Sequence, residues 1–169
     1  MTAGRPRADA PTVHEPLEAF PMIRSFARRA LPVAGAAFVA CAIVQVFLAG
    51  LGVFDDPRAF VTHREFGYAF GWLTLIVLIL ALAGRSPRRI TGLAALMLLQ
   101  FALQSVFVAL RADLPAIAAL HPLNGFGLLA VAVVLTRLAW LARWVADPAP
   151  AAAPTTLATS ADRIELVDA

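Results

Sequence analysis

The chain has 169 residues, 60% of them hydrophobic and only 15% charged, with a mean hydropathy of +0.78. That is more apolar than a soluble domain, in which roughly half of the residues are apolar. All 14 basic residues are arginine, and they flank apolar runs, so the pI near 10.4 reads as membrane orientation and not as a nucleic-acid footprint. The lone Cys41 excludes an internal disulfide or a thiolate cluster. No P-loop, nucleophile elbow or HExxH segment is present, so nothing points to nucleotide, hydrolase or metalloprotease chemistry.

Residues 1–22 are rich in proline, alanine and charge and read as a disordered segment. Four uncharged runs follow. Crossing a bilayer takes ~20 mostly apolar residues at about 1.5 Å per residue. Leu31 to Phe54 is the first such run, too long for a signal-peptide core and expected to stay in the membrane. The second is Phe66 to Gly84, expected to begin a turn earlier, near His63. Ile90 to Leu110 is the third. The fourth, Leu114 to Thr136, is expected to run on to Trp144, with Pro115 opening it and Arg137 reaching back to the interface. Lipid offers no hydrogen-bond partners, and the runs lack strand alternation, so all four are predicted helices. The tail 147–169 reads as disordered, and 23–146 as one transmembrane domain.

The links Asp55–Thr62, Arg85–Arg89 and Arg111–Asp113 are short, so consecutive helices must be antiparallel neighbours. The expected fold class is all-α: an integral membrane four-helix up-down-up-down bundle built from two similar helical hairpins. Arg24, Arg28, Arg29, Arg85, Arg88, Arg89, Arg137 and Arg143 gather at one end. At the other, Arg58, Arg64 and Arg111 are offset by Asp55, Asp56, Glu65 and Asp113. The positive-inside rule then puts both termini in the cytoplasm of a multi-pass cell-membrane protein, with Trp140 and Trp144 at the inner interface. The lipid bilayer is the expected partner, and a second membrane protein or another copy of the chain is compatible with the pattern.

The two hairpins repeat one another. His63 is followed at i+4 by Gly67, and His121 by Gly125. The Gln45-to-His63 and Gln104-to-His121 intervals agree to within one residue. Both histidines open helices that run in the same direction, so both lie at one depth near the outer surface. Two uses compete. The glycines allow close helix packing, with each histidine hydrogen-bonded at the interface. Alternatively, the imidazoles face each other as axial ligands of a haem, and Gly67 and Gly125 leave room for the macrocycle. Another metal or a proton role stays open, although two histidines alone are thin for zinc. In the haem case a backbone carbonyl one turn earlier is expected to orient each ring.

Gln45, Thr74, Gln100, Gln104, Ser105 and Asn124 are the other polar groups expected to be buried within the spans. Unpaired amides are costly in lipid, so Gln45 and Gln100 are expected to face the bundle axis. Interhelical hydrogen bonding is their common use, and a polar wall for a cofactor or quinone is the sharper alternative.

Gln45, Gly50 and Gly52 followed by His63-Arg64, and "LLQFALQSVF" followed by "ALHPLNGFGLL", resemble one four-helix half of the haem A synthase family. Short four-span bacterial membrane proteins share the pattern. The resemblance covers about residues 31–144. It implies His63 and His121 as axial haem ligands, a b-type haem cofactor, and an association with respiratory or haem metabolism in a bacterial inner membrane. The chain departs from that family in having one four-helix unit where the family has two, and Phe60 where a glutamate is typical.

Overall fold

In a computed structural model, the structure describes residues 19–143. The helices are α1 (Ala19–Phe54), α2 (Ala59–Ala83), α3 (Arg88–Ala109), the single turn α4 (Pro115–Ala118) and α5 (Leu120–Ala142). Helix α1 begins at Ala19, inside the segment set aside as disordered. Residues 1–18 and 144–169, including Trp144 and nearly all of the two expected tails, lie outside the described residues. The four long apolar helices are of membrane-spanning length, with α4 and α5 together making the fourth span.

The second span starts a turn before His63, at Ala59, as its sequence suggested. The fourth is interrupted at Ala119. Pro122 has no N–H, so it cannot close the helical bond to the Ala118 carbonyl, and the helix is broken at that turn. Between α2 and α3 the chain makes a Schellman turn: Ser86 N–H donates to the Ala81 carbonyl at 2.9 Å and Arg85 N–H to Leu82 at 2.9 Å. Arg85 takes the left-handed position, with φ 47°. The glycine sits one residue earlier because α1 crosses there. A Cβ on Gly84 would meet Arg28 Cγ at 3.3 Å, and Arg28 Nε donates to the Gly84 carbonyl at 3.0 Å.

Helices α1 and α2 pack together, as do α3 and α5, and the square is closed by α1 against α5 and α2 against α3. Helices α2 and α5 therefore stand on one diagonal. The core stripe of α2 runs His63, Gly67, Phe70, Thr74, Val77, Ala81, in alternating steps of four and three residues. That of α5 runs His121, Gly125, Leu128, Ala132, Leu135, Ala139 with the same steps. Helices α1 and α3 match in the same way: Leu31, Gly35, Phe38, Ala42, Gln45 against Ile90, Ala94, Met97, Phe101, Gln104. Steps of four and three keep one seam on the axis, which is how bundles bury a stripe.

The rest of each helix faces outward and is apolar. Only 11% to 33% of each most apolar window is buried inside the bundle. Phe26, Phe47, Trp72, Leu123 and Phe126 are all more than half exposed. A soluble monomer does not present apolar surface all round, so this is a membrane protein whose outer surface faces lipid. Ser105, expected among the interior polar groups, is exposed on that outer surface.

Candidate functional site: a histidine pair held by backbone carbonyls

His63 and His121 come from diagonal helices and meet on the bundle axis near its α1–α2 loop end. Their ring centroids are 6.2 Å apart and the ring planes are inclined by 69°. Both rings are half-buried. Phe60, one turn before His63, stands edge-on to that ring at 6.3 Å.

Each ring is held in the same way. His63 Nδ1 lies 3.1 Å from the Gln45 carbonyl, and His121 Nδ1 lies 3.3 Å from the Gln104 carbonyl. A carbonyl oxygen only accepts, so Nδ1 carries the hydrogen in both rings and Nε2 keeps its lone pair. Both Nε2 atoms are thereby left as ligand or acceptor nitrogens. The orienting carbonyl belongs to the facing helix of the same hairpin, not to the preceding turn of the histidine's own helix.

The glycines do not leave an open space. A Cβ on Gly67 would meet Gln45 Nε2 at 2.6 Å, and one on Gly125 would meet Gln104 Nε2 at 3.0 Å. The clearance that Gly67 and Gly125 provide is taken up by glutamine amides from the facing helices. Beneath the histidines the axis is aromatic: Phe66, Phe38 and Phe101 all pack on Phe70, with centroids 5.2–6.0 Å away.

Gln45 and Gln104 lie on the axial stripes, whereas Gln100, expected on the axis, lies beside the α3 stripe where α3 meets α5, and their bonding is unequal. Asn124 Nδ2 donates to the Gln100 carbonyl and to Gln104 Oε1, both at 2.8 Å. Gln45 Oε1 and Gln100 Oε1 are buried without a partner among the described residues. Asn124 thus makes the interhelical hydrogen bonds expected of the polar groups in the spans. It lies one turn from His121, at the position where the first hairpin has Phe66.

Among the described residues no group of three or more His, Cys, Asp or Glu side chains converges. A metal held by protein ligands alone would have two imidazoles and nothing more. Cys41 is half-buried against the core and takes no part in the site.

Fold and site define a four-span membrane bundle with two inward-facing histidines at one end. A protein-family model described as a family of unknown function, DUF6220, matches residues 45–111. The match opens at the glutamine that holds His63 and closes just past α3, so it covers less than half of the chain and stops before His121. No curated protein and no solved structure matches.

Proposed function

We propose that the bundle holds one b-type haem, with His63 and His121 as its axial ligands, and that it serves respiratory or haem metabolism in a bacterial inner membrane. The carrying observation is the paired rings, 6.2 Å apart with both Nδ1 atoms committed to carbonyls. With about 2 Å from metal to nitrogen and about 1 Å from nitrogen to ring centre, two axial imidazoles have centroids about 6 Å apart. The donor set also fits. Haem brings its own four nitrogens and asks the protein for two more ligands. The resemblance to half of a haem A synthase supports the same two residues.

When bound, the haem would supply one-electron transfer. The chain's own part is orientation. The Gln45 and Gln104 carbonyls fix the tautomer and tilt of each ring, which raises ligand basicity. The surrounding phenylalanines exclude water. The amides lying on Gly67 and Gly125 are ends of flexible side chains: a change of rotamer frees the Gly67 face, and the Gly125 face is freed once Gln104 gives up its bond from Asn124.

The test is an optical spectrum of the purified protein, oxidised and reduced, after expression with ample haem. A reduced b-type spectrum is expected, and His63→Ala and His121→Ala should each abolish it while the helical fold persists. Wild-type protein without such a spectrum overturns the haem reading. That outcome would favour a cofactor-free accessory membrane protein, the reading supported by the glutamine-filled glycine faces.

The orientation follows from charge. Arg28, Arg85, Arg88, Arg89, Arg137 and Arg143 sit at the end opposite the histidines, which supports an orientation with both termini in the cytoplasm under the positive-inside rule. A reporter fused after Gly84 should then behave as cytoplasmic. A periplasmic signal there would move the histidine pair to the inner face.

A further inference from the structure

The two hairpins share their core stripes and differ beside them. Between α3 and α5 a groove of about 590 Å³ opens on the outer surface, lined by Gln100, Phe107, Leu120, Leu123, Asn124, Phe126 and Gly127. At the positions corresponding to Asn124, Gly127 and Gln100, the first hairpin carries Phe66, Ala69 and Cys41. Phe66 there packs against Phe70, with centroids 5.3 Å apart. The same backbone frame thus tolerates an apolar filling, so the polar groove is not something the fold demands.

The groove has apolar walls and a polar floor. Asn124 is anchored to Gln100 and Gln104. The Gln100 side chain lies over Gly127, whose Cβ would come within 3.1 Å of Nε2, and Gln100 Oε1 is buried with no partner among the described residues. That oxygen is closed to the groove, so an occupant meets the other end of the amide, over Gly127; in a lipid-facing groove no bulk water reaches that end, and an unmet amide group costs several kcal/mol in hydrocarbon. The occupant must therefore dissolve in the bilayer and bring a hydrogen-bonding group. A hydroxyl serves whichever way the amide is turned, since it both donates and accepts. The rings of Phe107 and Phe126 favour a flat aromatic head over an acyl chain.

We propose that this groove binds a hydroquinone carrying an apolar tail, with one ring hydroxyl hydrogen-bonded to the Gln100 side-chain amide. The site does not depend on the histidines holding haem, because its contacts lie on the outer surface of α3 and α5.

The experiment is equilibrium binding of a decyl-substituted benzohydroquinone, kept reduced, to the full chain in lipid nanodiscs. Saturable binding is expected. Gln100→Leu should weaken it about tenfold or more, the effect of losing a hydrogen bond to a buried amide. The double variant Asn124→Phe with Gly127→Ala gives the second hairpin the residues of the first and should abolish saturable binding while the helical fold is kept. Decylbenzene, which can neither donate nor accept, and decanol, which has no ring, should both bind far more weakly. Unchanged affinity in Gln100→Leu would mean that acyl chains fill the groove and would overturn the proposal. Equal binding of decylbenzene would remove the hydrogen bond from it, and equal binding of decanol would remove the aromatic head. Either result is fatal. The Gln100→Leu and decylbenzene arms keep the test decisive even if the double variant fails to fold.

Discussion

The hairpin of α1 and α2 and the hairpin of α3 and α5 hold their histidines identically and secure their glutamines differently. In both, a backbone carbonyl from the first helix receives the Nδ1 hydrogen, and the glutamine that owns that carbonyl lays its amide on a glycine one turn from the ring. In the second hairpin Asn124 pins the Gln104 amide through Oε1. In the first, Gln45 Oε1 has no such partner. The histidine contact therefore survives a change of side-chain chemistry around it, because it rests on the backbone. What varies between the hairpins is how firmly the space beside each ring is closed.

The largest expected effect tests that closure directly. Gly67→Leu and Gly125→Leu both drive a side chain into a glutamine amide. By distance alone Gly67 should suffer more, since its Cβ would meet the amide at 2.6 Å against 3.0 Å at Gly125. The hydrogen bonds argue the reverse. Gln45 can swing aside, whereas Gln104 is tied to Asn124. Overpacking costs about 1–3 kcal/mol, so Gly125→Leu is expected near 3 and Gly67→Leu near 1, measured by unfolding in mixed micelles. The opposite order would mean that contact distance, and not the Asn124 anchor, decides which site yields.

A smaller effect is expected at the anchor itself. Asn124→Leu removes both donated bonds and leaves Gln104 Oε1 beside an already unpartnered Gln100 Oε1. Interhelical hydrogen bonds in membranes are worth about 0.6 to 2 kcal/mol each. A loss of about 1–2 kcal/mol in the same unfolding measurement is expected, and no loss would mean that Asn124 is idle in stability. After this change Gly125→Leu should become as mild as Gly67→Leu, which isolates the anchor as the cause.

Much of this was legible in the sequence, for physical reasons. Bilayer thickness sets span length, so the apolar runs located α2, α3 and the fourth span within about a turn, whereas α1 begins at Ala19, about three turns before the expected Leu31; the short links set their antiparallel order. The His-x-x-x-Gly repeat and the matched Gln-to-His intervals pointed to the pairing of His63 with His121. Other features were hidden. That each carbonyl comes from the facing helix depends on the relative height of two packed helices, which no single run encodes. The filling of Gly67 and Gly125 depends on rotamers of Gln45 and Gln104. Ser105 sits one residue past Gln104, so a rotation of about 100° per residue carries it from the axis to the outer surface. An inventory of polar residues cannot see that; only the phase of the stripe can.

The smallest effect is expected where the two histidine helices differ most in backbone. Helix α2 runs unbroken from Ala59 through His63, whereas the fourth span breaks at Ala119, two residues before His121. Pro122→Ala restores the N–H that can bond to the Ala118 carbonyl and lets α4 run into α5. The regained bond is worth about 0.5–1.5 kcal/mol. Alanine's freer unfolded chain offsets about 0.4–1 kcal/mol of that, so stability should change by less than about 1 kcal/mol. The haem spectrum should be unchanged as well. His63, on a continuous helix, makes the same carbonyl contact as His121, 3.1 Å against 3.3 Å, so the break is not what aims the ring. If Pro122→Ala instead abolished the spectrum while His63 stayed competent, the second histidine would depend on its broken helix. The two hairpins would then be alike in their contacts but not in how those contacts are made.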